Sequence, residues 1–489
     1  MKKLLVVLLA LVMLLGAVAC GGKESNTKTP GKTDPVTEGS EEYVHVLPTI
    51  DYDGADYRVS AHEQYVTWEI FVPEEDSDPL RSSVWTRNKT VEDRYNCTIS
   101  PVITQADSSL HGHVNEALGT IMSERDDFEI VNTYIVSVGT LVTAGVLYDW
   151  SQFEYTYLDG SWWTKTINDE FMIDGHIYTP VGAMNITSLL YTMPVLMNAD
   201  LAKTEGIYDE VIQTINDKDW TIDYFSNLVA TVNYDDVDDI NGASDGDVYA
   251  FQAEALTNLD MYQFAFDIPM VEQDEDTTLA FVWGQGDYRE KLSTAVDKVI
   301  SLYWENNGSR CHTNGSTHQN NFIADRAMFI TARVRDIFNN FKDMESTYTV
   351  LPFPMYDENQ EDYYCGMGDN YTQMCMPISV ADPEYVSIIT EALNMASEEY
   401  IWPAFYEDAL RTKYQDDPVS FEMIDLLMRG RKADLGVPFN TALGGISMMF
   451  RRVVASKENT IIQDIDGYIE SYVERLEGVV ESYEKGTAN

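Results

Sequence analysis

Basic side chains are scarce in this chain. Against 81 Asp and Glu there are only 32 Lys and Arg, a formal net charge of −49 over 489 residues. A surface of that sign repels nucleic acid and anionic lipid, so no nucleic-acid partner is expected. Most of the imbalance reads as an acidic, solubilising surface. Cysteine is sparse as well, with five residues and no Cys-x-x-Cys spacing, so a thiolate zinc site of that type is unsupported. The chain also has no His-Glu-x-x-His, no P-loop and no Gly-x-Gly-x-x-Gly behind a strand. Carboxylate pairs at glycosidase spacing arise by chance among so many acids. No catalytic residue, metal ligand or cofactor is assigned.

Uninterrupted apolar sequence is also rare. Leu4–Ala19 is a 16-residue run without a polar side chain, below the roughly 20 residues of a spanning helix. Lys2 and Lys3 precede it, and Ala17-Val18-Ala19-Cys20-Gly21-Gly22 closes it. This is the layout of a secretion signal whose Cys20 is poised for lipidation, with Ala17 where Leu is more usual. The expected segments are 1–19 as signal peptide and 20–44 as lipidated cysteine and polar tether. As a coil the tether would hold the body on the order of 25–30 Å from a membrane. Loss of Lys2 and Lys3 with the leader takes the net charge to about −51. Localisation is therefore expected on the extracytoplasmic face of the cell membrane, through a lipid anchor.

What the chain has in quantity is aromatic surface: 30 Tyr, 18 Phe and 9 Trp, 12% of residues. Flat apolar faces with polar handles suit stacking on sugars or peptides, and equally serve amphipathic surfaces. A hydrophobic fraction of 44% over this length allows a globular body of two or three domains. With Cys20 lipidated, Cys97, Cys311, Cys365 and Cys375 remain. Cys365 and Cys375 flank a short segment and either bridge it or stay as buried thiols.

Strand and helix signals alternate after the tether. Tyr57–Ala61 reads as a strand, 80–95 as a helix, Cys97–Val102 as a strand, 110–124 as a helix and Phe128–Val131 as a strand. Such a β-α-β-α-β order predicts a parallel, helix-covered sheet. The stretch 135–148 is too short and too rich in Gly, Ser and Thr to span a membrane. Helices are predicted at 384–399, with Val386, Ile389, Leu393 and Ala396 on one face, and at 458–484. In the latter, Ile461, Ile465, Tyr468, Tyr472, Leu476, Val479 and Tyr483 share a face.

Six phrases in order resemble the family 1 extracellular solute-binding proteins, the lipid-anchored receptors of bacterial carbohydrate ABC importers. They are Val91-Glu92-Asp93-Arg94-Tyr95-Asn96; Trp162-Trp163 with Phe171–Tyr178; Leu196–Lys203; Asp219–Phe225, in which Thr221 is a candidate N-cap; Phe322–Phe329; and Tyr348–Pro354, followed by Gln360 and Tyr363. Two departures stand out. Asp325-Arg326 replaces a usual Gly-Lys, and Ala332-Arg333 stands where relatives often carry Gly-Pro and a stacking Trp. The resemblance implies an α/β, two-lobed, periplasmic-binding-protein-like (type II) fold with hinge crossovers and a central cleft. Lobe 1 would comprise 45–184 and 374–410, and lobe 2 would comprise 185–373 and 411–489. Crossovers fall near Gly182–Asn185 and Gly366–Asp369, where glycine would supply hinge freedom.

Ligands of such sheets sit beyond the carboxyl ends of the strands. The candidate ligand-binding residues are therefore Trp68, Tyr134 and Ser137 after strands, and Trp162 and Trp163 before a crossover. Asn185, Tyr191, Asp369, Asn370 and Tyr371 join them at the crossovers, and Arg333 takes the place of the family's Trp. His62 also follows a strand. Core packing is the competing reading for each. Asp238–Asp247 crowds oxygen ligands as calcium loops do but departs from the EF-hand pattern, so an Asx-rich turn competes with a calcium site. His111 and His113, with Asp107 or Glu116, form a weak metal motif more consistent with exposed, idle imidazoles.

The resulting expectation is a non-enzymatic, monomeric solute-binding lipoprotein. It would capture a carbohydrate, foremost an oligosaccharide, and deliver it by hinge closure to membrane permease subunits. A receptor for another solute such as a peptide, or a surface glycan-binding or hydrolysing protein, are the alternatives.

Overall fold

The computed structural model describes residues 46–104, 111–231, 247–274, 278–313, 316–406 and 418–486. The leader, Cys20, the tether, Asp107 and the Asp-rich turn as far as residue 246 lie outside the described residues.

Two sheets organise the body. The first has strands β1 (Ala55–His62), β2 (Cys97–Thr104), β3 (Ile130–Tyr134) and β11 (Thr372–Cys375), in the order β11-β3-β1-β2. β1 runs parallel to both β2 and β3, and β11 is antiparallel to β3. All five residues of β3 are buried, as expected of a strand covered on both faces. The helix Pro79–Tyr95 links β1 to β2. The Asp78 carboxylate accepts from Arg81 N at 3.0 Å, Pro79 occupies the first turn, and Asn96 ends the helix at φ 47°. That is an N-cap, a tolerated proline and a left-handed stop in succession.

The second sheet comprises β4 (Val195–Asn198), β5 (Tyr249–Glu254), β8 (Ser309–His312), β9 (Ala327–Thr331) and β10 (Tyr348–Leu351), in the order β10-β4-β9-β5-β8. β5 lies parallel to β8 and β9, whereas β4 is antiparallel to β9 and β10. The hairpin of β6 (Val271–Gln273) and β7 (Leu279–Phe281) stands apart. Phe225 anchors this core, its ring centroid 5.1 Å from Trp220, 5.2 Å from Phe251 and 5.3 Å from Phe329. Thr221 caps its helix as anticipated, Oγ1 accepting from Tyr224 N at 3.2 Å.

Between the sheets the chain passes through two crossovers that run side by side. Thr192 bridges Met367, Gly368 N donates to Tyr191 O at 2.9 Å, and Met193 N donates to Gly366 O at 3.3 Å. Glycine is required here by proximity rather than by an unusual φ. A Cβ on Gly182 would sit 2.1 Å from Asn394 Oδ1, and one on Gly366 would sit 2.6 Å from the Phe264 ring.

Helix Pro383–Pro403 packs on Pro79–Tyr95, and helix Pro418–Arg429 packs on β10. The last helix, Ile461–Gly486, lies against β7 and the buried helix Ile135–Thr143. It is tied at its end by Tyr178 Oη to Tyr483 O and by Tyr483 Oη to Phe171 O, both 3.0 Å. Its apolar stripe follows the expected residues except Tyr468, which is 60% exposed; Ile469 instead meets Gly284. Cys97, Cys311, Cys365 and Cys375 are free thiols, Cys365 Sγ donating to Leu427 O. No helix among the described residues is long and apolar enough to cross a membrane.

Candidate functional site

The segments that follow β1 in one sheet and β9 in the other meet the first crossover at a single cavity. Its lining is Gln64, Tyr65 and Trp68 after β1, Thr187, Leu190 and Tyr191 at the crossover, and Arg335, Phe338 and Asn339 after β9. Its volume is about 50 Å³, room for a water or two. A sugar ring therefore enters only if the walls part. Larger hollows lie elsewhere: an acidic one of about 360 Å³ near Asp267 and Glu272, and a groove of about 890 Å³ along the last helix. Neither receives strand ends from both sheets, which is what marks a ligand cleft in folds of this kind.

The wall from the first sheet is aromatic. Tyr65 stands edge-on to Tyr134 at 5.3 Å and to Tyr191 at 6.0 Å, with His62 5.7 Å from Tyr134. Gln64 Nε2 donates to Tyr134 Oη at 2.6 Å. Burial pushes the Tyr134 phenol up to about 12, so the ring stays neutral.

Beneath this wall lies a buried carboxylate. Residues 66–70 form one π-helical turn, and Glu69 within it is fully buried. One Glu69 oxygen accepts from Thr187 N and Oγ1 at 2.7 and 2.5 Å; the other accepts from Asn132 Nδ2 and Thr372 Oγ1 at 2.8 and 2.7 Å. Burial raises the Glu69 pKa, and those donors oppose the rise. Arg87 and Asn88 hold the carbonyls of the same turn, Arg87 Nη2 donating to Glu69 O at 2.6 Å and Asn88 Nδ2 to Ile70 O at 2.8 Å. The turn presenting Tyr65 and Trp68 is thereby locked to β3, β11 and the crossover.

The wall from the second sheet is charged. Arg333 and Arg335 follow β9, and both guanidiniums lie over the Tyr191 ring, at 5.6 and 5.3 Å from its centroid. Arg335 Nη1 donates to Tyr191 Oη at 2.5 Å, and Arg333 Nη2 donates to Thr257 Oγ1 at 3.1 Å. Beyond them Arg451 Nη2 bridges the carboxylates of Asp260 and Asp369, the latter at 2.8 Å. One guanidinium serving two acids leaves Asp260 short of positive charge. Burial pushes its carboxyl up to about 7 against the pull of Arg451, and Asp369 adds to the rise.

The structure therefore places Trp68 and Tyr191 in the cavity lining, with Tyr134 packed against the lining residue Tyr65 and Arg333 over the Tyr191 ring. Asp369 stands beside that cavity through Arg451, and Asn370 touches Gly368 with a buried, unpartnered Oδ1. Other candidates lie in packing. Ser137 is buried, its hydroxyl donating to Tyr134 O at 3.2 Å. Asn185 is buried and donates to Asn132 and Thr372. Tyr371 is 2% exposed. Trp162 and Trp163 both donate their indole N–H to Glu391, at 2.7 and 3.0 Å, on the flank formed by helix Pro383–Pro403. His113 is the opposite of an idle surface imidazole: fully buried, it bridges Ser60 and Thr133, and burial lowers its pKa to about 4. Sequence reasoning missed Gln64, Tyr65, Arg335 and Phe338. Arg335 had a signal, lying two residues beyond Arg333 in a chain poor in basic residues. Asp260 and Arg451, 191 positions apart, had none.

No family model and no curated protein sequence matches the chain. Solved structures do. The substrate-binding protein Lmo0181 of Listeria monocytogenes, in complex with cycloalternan, aligns at a TM-score of 0.57 and 11% identity over 86% of this chain and 100% of its own. The galacto-N-biose/lacto-N-biose I-binding protein of Bifidobacterium longum, with lacto-N-biose, gives 0.58 and 10% over 89% and 99%. UgpB of Mycobacterium tuberculosis, with glycerophosphocholine, gives 0.54 and 12% over 86% and 99%. The chain has the two-lobed fold of these ABC-transporter solute-binding proteins.

Proposed function

We propose that the protein is an extracytoplasmic solute-binding lipoprotein. It captures a carbohydrate, foremost an oligosaccharide, between its lobes and releases it to the permease subunits of an ABC importer. The observation that carries this reading is the cleft itself. An aromatic wall with Trp68 at its rim faces a hydrogen-bonding, charged wall, and the chain crosses between them by paired strands. Flat rings cover the apolar face of a pyranose, and guanidinium and amide groups take its hydroxyls. The solved neighbours, bound to sugars in two of the three cases given, support the ligand class. The lobes are taken as 45–184 with 374–410 and 185–373 with 411–489, and Cys20 as the lipid-bearing residue. The body acts as a monomer and does not transform its ligand.

Isothermal titration of the lipid-free mature protein against a panel of oligosaccharides, amino acids and peptides tests this. Stoichiometric binding of a sugar, with the sugar recovered unchanged by mass spectrometry, is expected. Binding confined to peptides overturns the ligand class, and recovery of cleaved glycan overturns the receptor role.

A further inference from the structure

The second wall carries more information than a general polar surface, and the following rests on the carbohydrate reading above. Arg333 and Arg335 are half-buried over one tyrosine ring, and neither forms an ion pair with a carboxylate among the described residues. Elsewhere in this acid-rich chain Arg58, Arg289 and Arg451 all do. Arg335 donates from Nη1 to Tyr191 and is one of the residues lining the cavity. Arg333 donates to Thr257, while its Nε is buried without a partner.

Nearby acids are mostly hydrogen-bonded or paired elsewhere, although Asp336 lies within electrostatic reach of both arginines and Glu254 of Arg333. The Asp336 carboxylate accepts from Arg333 N at 3.0 Å, Gln319 Nε2 at 3.2 Å and Asn340 Nδ2 at 3.2 Å, closing its own helix. Asp260 and Asp369 share Arg451. Glu254, at the end of β5, is buried and within electrostatic reach of Arg333 and Arg451, and forms no ion pair among the described residues. Two like charges on one ring repel each other, and a half-buried guanidinium has lost part of its hydration. An arrangement of that kind is complementary to an anionic oxygen group, which a planar fork grips in bidentate fashion. A neutral sugar needs no such pair.

We infer that the solute is an acidic carbohydrate, bearing a carboxylate, phosphate or sulfate. Arg335 grips that group directly, Arg333 adds positive charge from the same ring, and Trp68 covers a sugar face. The discriminating experiment is calorimetry of the mature protein on matched oligosaccharides: neutral, uronate-bearing, and phosphate- or sulfate-bearing versions of the same backbones. A charged version should bind at least about tenfold tighter than its neutral counterpart and weaken as NaCl rises. Which anion wins identifies the source of the charge. Arg335→Gln should cost the charged ligand roughly ten- to a hundredfold in affinity, and the neutral one, which loses a hydrogen bond but no ion pair, about tenfold less than that. Arg335→Lys, which keeps the charge without the fork, should fall between, with melting curves confirming that both variants fold. Equal binding of neutral and charged versions, or equal losses for both in Arg335→Gln, overturns the inference while leaving a sugar receptor intact. Silence toward every sugar overturns both readings together.

Discussion

The two walls of the cleft are built in opposite ways. On the first sheet, uncharged rings and an amide stand on a turn fixed by one buried carboxylate, Glu69, which four donor groups satisfy. On the second, arginines lie over Tyr191, and Arg451 is shared by two acids. The first wall is uncharged toward the cavity and rests on a buried carboxyl group; the second carries its guanidiniums at or next to the cavity. A platform for ring faces needs rigidity, and a reader of polar groups needs electrostatic strength in a desolvated place. On the proposed function, this difference would give shape recognition to one lobe and charge recognition to the other.

Removing the support of the first wall should have the largest effect. Glu69→Ala strands donors from Thr187, Thr372 and Asn132 in the interior, and should cost about 3–5 kcal/mol of stability in urea titration. Glu69→Gln restores size but offers an N–H₂ where N–H and O–H donors already point, and should recover only part. A loss under about 1 kcal/mol would show that the wall does not depend on this residue.

Next come the tryptophans, which separate cleft from flank. Trp68→Ala should weaken sugar binding about tenfold or more with little change in melting. Trp162→Ala should leave affinity unchanged but destabilise the fold by about 2 kcal/mol, because Glu391 then loses an indole donor. The reverse result would move the ligand to the helix Pro383–Pro403 flank.

A smaller effect follows from titration. Asp260, its carboxyl raised to about 7, favours the folded state most when protonated, so its contribution is complete below its ordinary value near 3.8 and is lost as pH rises through 7. Glu391 and Asp434, also raised to about 7 chiefly by burial, act in the same direction. These three carboxyls should therefore lower stability between pH 5 and pH 8, with Asp260 contributing on the order of 1 kcal/mol, while His113, lowered to about 4, acts in the opposite direction below its ordinary value near 6.5. Asp260→Asn should flatten that part of the profile, to which the Tyr134 phenol, at about 12, contributes nothing.

The sequence made the framework legible and the site only partly so. Asp78-Pro79 and Asp382-Pro383 announce helix starts because a cap and a proline act locally. The β-α-β-α-β alternation likewise forecasts β1, β2 and β3. Trp68, Tyr134, Tyr191 and Arg333 stand out in the sequence because strand ends are readable, and the structure places all four at or next to one cavity. Trp162 and Trp163 lie apart from that cavity: a tryptophan needs a partner for its N–H, and a buried Glu391 more than 220 positions away, which no local pattern announces, provides it. Glu69 was invisible because its four donors come from segments up to 303 residues distant.

The central claim is that the lobes close on a sugar without altering it. Small-angle X-ray scattering of the mature protein, alone and saturated with the tightest-binding glycan of the panel, tests it most directly when paired with mass spectrometry of the recovered ligand. The account predicts a smaller radius of gyration in the bound state and an intact glycan. An unchanged radius at saturation, or a shortened glycan, would contradict it.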